Sequence, residues 1–285
     1  MVKRRIVTPE TSFELCVPDG NDSKLAVYHA GRLPQEVSAL LSVLTRTTVR
    51  GSKVLDLGGY IGGFGLGAAA LGYNVTIVEA NPQNAVLIQQ SINANRLQVQ
   101  LVPAAIGATP GEVRFVSDGP WGHVATAGDA NTVAVPQHTL PQLLTAVGWT
   151  TPAFIKMDVE GSEANMLAGA REWFAQGHRP VILYEANAVT LQWFHSTPKH
   201  LNTLIDSLGY YRYEMADDGG LRIPIAFEPR VLVDYVASPV PLSDVAPALS
   251  TWKIFKRTVR ALRHPASVAR RYTASHVVST LIGRT

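Results

Sequence analysis

Short apolar runs punctuate this chain, most closing on a polar or acidic residue, and between them lie stretches whose apolar residues return at helical spacing. Phe13 to Val17 alternates like a strand and meets a turn at Pro18-Asp19-Gly20-Asn21-Asp22. Pro34 opens an amphipathic helix to about Thr45, with Val37, Leu40, Leu41 and Leu44 on one face. The pattern then becomes regular. Val54 to Leu57 predicts a strand, Gly65 to Leu71 a helix, and Asn74 to Glu79 a second strand. Pro82 starts a helix to about Asn95 that carries Ala85, Val86, Ile88 and Ile92. Strands are predicted at Gln98 to Ile106, Gly111 to Val116 and Thr132 to Val135, and Thr139 caps a helix through Val147. Further strands cover Ala153 to Met157 and Pro180 to Asn187, with a helix to about Ala175 between them. Leu191 to Leu208 reads as helix interrupted at Pro198, and Tyr210 to Tyr213 as an edge strand.

Strands alternating with helices at this spacing predict an α/β fold: a Rossmann-like, doubly wound parallel sheet, with ligands at the carboxyl ends of its strands. The expected organisation is an N-terminal cap over residues 1–50, a nucleotide-binding domain over 51–240, and a C-terminal extension over 241–285 that begins after Pro239-Val240-Pro241.

Two features suggest the ligand. The strand Val54 to Leu57 runs into Gly58-Gly59-Tyr60-Ile61-Gly62-Gly63, where glycines let backbone N–H groups approach a ligand at a helix start. An ordinary strand-to-helix corner is the alternative. The second strand, however, ends on Glu79, about 20 residues further on, where nucleotide folds place a carboxylate on ribose hydroxyls. A nicotinamide site wants G-x-G-x-x-G directly after the strand, and that register fails at Tyr60. The match at Gly63 to Ala68 begins several residues too late. Asp56-x-Gly58-x-x-x-Gly62 suits the amino-acid end of S-adenosylmethionine instead.

Composition sharpens this reading in two places. With 46% hydrophobic and 16% charged residues over 285 positions, the chain is globular and long enough for a substantial core. The lone Cys16 excludes an internal disulfide and a cysteine-rich metal site, and fits a buried small residue in a reducing, cytoplasmic compartment. No signal peptide and no spanning run are evident. The net charge of +3 is unevenly placed: eight Lys or Arg and no Asp or Glu follow Ser250, leaving 17 basic residues against 22 acidic ones before it. The stretch from Trp252 to Arg263 alternates basic and apolar residues as an amphipathic helix would, so contact with an anionic membrane face and packing on the body or a second subunit are both open. The acidic body speaks against a nucleic-acid partner.

Asp56, Glu79, Asp158 and Glu185 all fall at the carboxyl ends of predicted strands. Here the residues resemble the FkbM family of adenosylmethionine-dependent methyltransferases. Asp56-Leu57-Gly58-Gly59-Tyr60-Ile61-Gly62 is similar to its D-x-G-A-N-x-G, Glu79-Ala80-Asn81-Pro82 to its E-P-x-P, and Lys156 to Glu163 to its K-x-D-x-E-G-x-E. Tyr60 stands for the usual Asn, Ala80 for a Pro, and Pro141 where T-L-D carries Asp. The resemblance covers roughly Val49 to Asn187. It implies O-methylation of a hydroxyl, often on a sugar in a cell-surface glycan, polysaccharide or glycosylated metabolite. Asp158-Val159-Glu160-Gly161 stands where amino methyltransferases of nucleic acids carry N-P-P-Y or D-P-P-Y, which counts against an exocyclic amine.

The expected cofactor contacts are Asp56, Gly58, Gly59, Tyr60, Gly62, Glu79, Ala80, Asn81 and Ala105. Asp158 and Glu185 are candidate catalytic residues and, with Asn187, a candidate oxygen set for Mg²⁺ that resembles the metal site of catechol-type O-methyltransferases. His123 is a candidate general base if no metal acts. Glu160 and Trp121 are candidate acceptor contacts, and Glu163 is expected to cap its helix. Trp193, Phe194, Tyr211 and Tyr213 are expected in the core, with stacking on sugars as the alternative. The partner is expected to be a sugar-containing acceptor, with a homo-oligomer also possible. A nicotinamide-dependent oxidoreductase and a non-catalytic partner-binding module are the competing readings.

Overall fold

A computed structural model describes residues 1–20, 23–117, 122–126, 128–225 and 230–247. The chain opens with strands β1 (Val2–Val7) and β2 (Ser12–Val17) and helices α1 (Ser23–His29) and α2 (Gln35–Thr47). Regular alternation follows: β3 (Lys53–Leu57), α3 (Gly63–Ala70), β4 (Asn74–Val78), α4 (Pro82–Asn95) and β5 (Val99–Val102). Next come four strands of a smaller sheet, β6 (Ala105–Ile106), β7 (Gly111–Val116), β8 (His123–Val124) and β9 (Thr132–His138). The chain returns through α5 (Leu140–Ala146), β10 (Phe154–Met157), α6 (Glu163–Gly169), α7 (Arg171–Ala175) and β11 (Val181–Asn187). It ends with α8 (Ala188–Trp193), α9 (Pro198–Ser207), β12 (Tyr211–Met215), β13 (Leu221–Arg222), β14 (Leu232–Ser238) and β15 (Val245–Ala246).

The main sheet has the order β5-β4-β3-β10-β11-β14-β12-β13-β15. From β5 to β11 every pairing is parallel, whereas β14 runs opposite to both β11 and β12. After β5 the chain crosses to the other side of β3, so the carboxyl ends of β3 and β10 border the crevice where such sheets bind ligands. The strand alternation sorts two cores. Val54, Phe154, Ile77 and Leu183 face α2, α3, α4 and the N-terminal hairpin, while Leu55, Ile155, Met157 and Tyr184 face the helices α5 to α9.

Several expectations are corrected here. Gln98 to Ile106 is two strands, because Pro103 has no N–H to continue the ladder; β5 stays in the main sheet and β6 pairs with β9 in the small one. Together with β7 and β8 these strands form a lobe beside the crevice. The strand predicted at Tyr210 to Tyr213 extends to Met215, with β13 pairing only at Glu214 and Met215, and beyond Pro241 the chain rejoins the main sheet as β15. The basic stretch from Trp252 onward lies outside the described residues, and among those described no helix is long and apolar enough to cross a membrane.

The N-terminal hairpin solves its edge problem with side chains of α4. The Cys16 N–H donates to Ser91 Oγ at 2.8 Å, and Asn95 both accepts from the Glu14 N–H at 2.6 Å and donates to its carbonyl at 2.7 Å. Asn95→Ala removes both links to Glu14 and is expected to destabilise the fold by about 1–3 kcal/mol, the cost of leaving half-buried peptide groups unpaired. Urea unfolding should show a lower midpoint at unchanged slope, and an unchanged midpoint would contradict this account.

Candidate functional site

A cavity of about 200 Å³ lies at the carboxyl ends of β3, β4, β10 and β11. Its cofactor-like end is built by the turn after β3. Gly58 has φ +80°, and a Cβ there would overlap the Asp158 carbonyl oxygen, so glycine lets the turn lie against the loop after β10. The N–H groups of Gly58 and Gly59 both donate to the Val78 carbonyl at 3.0 Å, and the Tyr60 N–H donates to Glu79 Oε2 at 2.7 Å. Tyr60 holds φ +53°, an uncommon angle for a non-glycine residue, at the cavity wall.

Glu79 is buried where β4 ends, with Oε1 accepting from the Asn81 N–H at 2.8 Å. Burial pushes its carboxyl up to about 7, against the pull of those two N–H groups and of Lys156. Of the expected cofactor contacts, Gly58, Gly59, Tyr60, Glu79, Ala80 and Ala105 line the cavity. Three other expected contacts stand behind its wall. Asp56 is fully buried and pairs with Lys156, Nζ to Oδ1 3.3 Å; Gly62 is the left-handed residue that starts α3; and Asn81 caps α4 by accepting from the Gln83 N–H at 3.0 Å. All three act on the shape of the site instead of touching its interior.

The opposite end is acidic. Asp158, Glu160, Glu185 and Asp234 line it, beside Phe115, Val124 and Leu232. Burial lifts the Glu185 carboxyl well above the usual carboxylate range, and the nearby Asp158, Glu160, Asp234 and Glu163 add to the rise. Asp234 reaches this cluster because Glu185 and Asp234 are cross-strand partners in the antiparallel β11/β14 pair. Glu160 has φ +52°, and a Cβ on the following Gly161, φ +101°, would overlap the Thr190 carbonyl. Glu163 stabilises that loop: its Oε1 accepts from the N–H groups of Val159 and Gly161 at 3.0 and 3.2 Å, and burial pushes its carboxyl up to about 8. It therefore ties down the acidic loop and does not cap α6.

Two roles are corrected. His123 was expected as a base, but in β8 its neighbours Gly122 and Val124 line the cavity while its own ring turns away, onto Trp193 with centroids 4.7 Å apart and towards Asp129 Oδ2 at 3.3 Å. Asn187 was expected as a metal ligand, yet its Oδ1 caps α8 by accepting from the Val189 N–H at 3.1 Å, and its Nδ2 donates to Glu185 Oε2 at 3.3 Å. Its amide oxygen is thus committed, and among the described residues no group of three His, Cys, Asp or Glu could hold a metal ion. Trp121 lies outside the described residues. Tyr213 is buried as expected, whereas Trp193 and Tyr211 are exposed. Sequence reasoning missed Tyr28 and Glu36, which bring the N-terminal segment into the cavity wall, along with Asp234 and Lys156. Only Lys156 had left a signal, inside the K-x-D-x-E-G-x-E run.

Glycines without room for a Cβ, a buried carboxylate at the next strand tip, and a sheet that is parallel from β5 to β11 with β14, β13 and β15 reversed fit a Rossmann-like class I methyltransferase that uses S-adenosylmethionine. The methyltransferase FkbM domain matches residues 56–212, more than half of the 285-residue chain, and the chain belongs to that family. No curated protein matches it in sequence. Among solved structures it is similar to a SAM-dependent methyltransferase from Agrobacterium tumefaciens, at 12% identity over 84% of this chain and 70% of that one, TM-score 0.46. A precorrin-6y C5,15-methyltransferase from Geobacter metallireducens shares 12% identity over 70% of this chain and 86% of that one, TM-score 0.39. A T. thermophilus 16S rRNA methyltransferase in complex with AdoMet and guanosine shares 15% over 84% and 50%, TM-score 0.41. None of these likenesses bears on the acceptor.

Glu79 is the group expected to meet the ribose hydroxyls, and it must lose its proton to accept from them while keeping the Tyr60 and Asn81 amides. Affinity for S-adenosylhomocysteine is therefore expected to rise as pH increases through about 7. Glu79→Gln should bind about tenfold weaker above that pH, a loss of roughly 1.4 kcal/mol, and show no such rise. Calorimetric titration across that interval checks both, and a flat wild-type profile would count against the assignment.

Proposed function

We propose that this methyltransferase acts on a hydroxyl of a sugar, with Glu185 as the residue that takes the hydroxyl proton. The observation that carries this reading is the position of Glu185: a half-buried carboxylate with a raised pKa, at the tip of β11, lining the same cavity as the glycine turn. When bound, S-adenosylmethionine supplies a methyl group already activated by a positive sulfur. Gly58, Gly59 and Tyr60 would hold its amino-acid end and Glu79 its ribose.

An alcohol is a poor nucleophile until its proton has somewhere to go. Glu185 is suited to that task because burial and the surrounding Asp158, Glu160 and Asp234 make it more basic than an exposed carboxylate. The proton lost from the acceptor oxygen moves to the Glu185 carboxylate as the oxygen–methyl bond forms. Asp158, Glu160 and Asp234 offer acceptors for further hydroxyls, and Phe115, Val124 and Leu232 offer apolar surface for the C–H faces of a ring. That combination of carboxylates and apolar wall favours a sugar. Most of the acceleration would come from alignment, since well-oriented groups reach effective molarities of about 10⁵–10⁸ M.

A screen of oligosaccharide acceptors with S-adenosylmethionine, read by mass spectrometry and by NMR of the new methyl group, tests the substrate class. A methyl ether on oxygen is expected, and a product methylated on nitrogen would overturn the reading. Because Glu185 must be ionised to take the proton, the rate is expected to rise with pH, and Glu185→Gln should remove that rise and lower kcat by about 10²–10⁴-fold, while S-adenosylhomocysteine affinity stays within about twofold. A variant with near-normal kcat would dismiss Glu185 as the base.

A further inference from the structure

Lys156 stands in β10 between the two ends of the cavity and is 6% exposed. Its Nζ donates to the Gly58 carbonyl at 2.9 Å, and lies 3.3 Å from Asp56 Oδ1 and 3.5 Å from Asp158 Oδ2. One hydrogen bond and two ion-pair contacts thus meet at a single ammonium, a compact point charge for which the planar fork of an arginine is no substitute. The turn after β3 already takes its amide partners from β4, through the Val78 carbonyl and Glu79. Lys156 adds the hold from β10. One side chain thus reaches the turn that faces the cofactor and the carboxylate that faces the acceptor.

We infer that Lys156 is a positioning residue: by gripping the Gly58 carbonyl, Asp56 and Asp158 together, it keeps the cofactor turn and the acceptor loop in one fixed relation. It makes no bond in the methyl transfer and acts through Gly58 and Asp158. Burial favours loss of its proton, but the carboxylates of Asp56 and Asp158 outweigh burial and hold its pKa above the usual lysine range, so the grip persists at working pH. The role follows from the methyltransferase site and is independent of which acceptor is used.

Calorimetric titration with S-adenosylhomocysteine tests it. Removing Lys156 alone would strand Asp56 as a buried charge, so D56N serves as the reference. D56N/K156M has no stranded buried partner and a side chain of similar length; it is expected to bind at least about tenfold weaker than D56N while melting within a few degrees of it. In D56N/K156A, added n-propylammonium is expected to restore most of the lost affinity and 1-propanol none, because only the ammonium supplies charge and donors. Lys156→Arg in the otherwise unaltered chain keeps the charge and Asp56 but loses the three-way geometry, and should weaken binding in the same direction. Equal affinity of D56N/K156M and D56N, rescue by propanol as good as by propylammonium, or wild-type affinity in the arginine variant would each reduce Lys156 to packing and overturn the proposal. If the alanine variant does not melt cooperatively, the methionine and arginine variants decide.

Discussion

The site depends on how closely two backbones can approach. Gly58, at the end of β3, lies against the Asp158 carbonyl at the end of β10, and the Asp158 N–H donates to the Leu57 carbonyl at 3.1 Å. Any side chain at Gly58 would separate the two strand ends just where the doubly wound sheet opens its crevice. Because they touch, the glycine turn after β3 and the acidic loop after β10 share one wall. The Lys156 ammonium then serves both, with Asp56 beneath it as counter-charge. Stability and function draw on the same group here. A buried ion pair is a poor source of net stability, because desolvation offsets much of its attraction, so its retention is better explained by the geometry it imposes.

Electrostatics divide the cavity into two unequal ends. At one end Glu79 accepts from two backbone N–H donors that favour its charged form against burial. At the other, Glu185 is surrounded by acids that add to the effect of burial. The same residue type is therefore tuned two ways by its neighbours: Glu79 towards accepting hydrogen bonds near neutrality, Glu185 towards holding a proton. Groups whose surroundings separate their proton affinities are the usual sign of divided roles in a catalytic site.

How much of this was legible in the sequence follows from the range of the forces involved. The glycine turn, Glu79, Asp158 and Glu185 were readable because a strand tip is a local property, set by a few apolar residues and the break after them. Asp56 and Asn81 fall at the expected strand ends but stand behind the cavity wall, since whether a side chain lines a cavity or holds its wall depends on partners far along the chain, such as Lys156 for Asp56. His123 was misread because its direction depends on alternation within a two-residue strand that pairs with β7. Asp234 was invisible for a similar reason: it meets Glu185 only through a reversed strand some fifty positions later in the chain. β1 was hidden by Lys3, Arg4 and Arg5, whose side chains point outward or lie at the margin while Ile6 alone is fully buried.

Backbone strain points to the same two places as the charges. Tyr60 and Glu160 both occupy the left-handed region without being glycine, and both line the cavity, one in the cofactor turn and one in the acidic loop. Such angles cost of order 1–3 kcal/mol each and persist only where the surroundings over-determine them. Those surroundings are visible: Glu79 holds the Tyr60 N–H, and Glu163 holds the amides on either side of Glu160, at Val159 and Gly161. Each strained residue is thus fixed by a buried carboxylate, Glu79 in the cavity wall itself and Glu163 behind it. Tyr60 stands where the family usually carries a small amide, so a phenol ring takes the place of that amide in a cavity wall that also includes Tyr28 and Glu36.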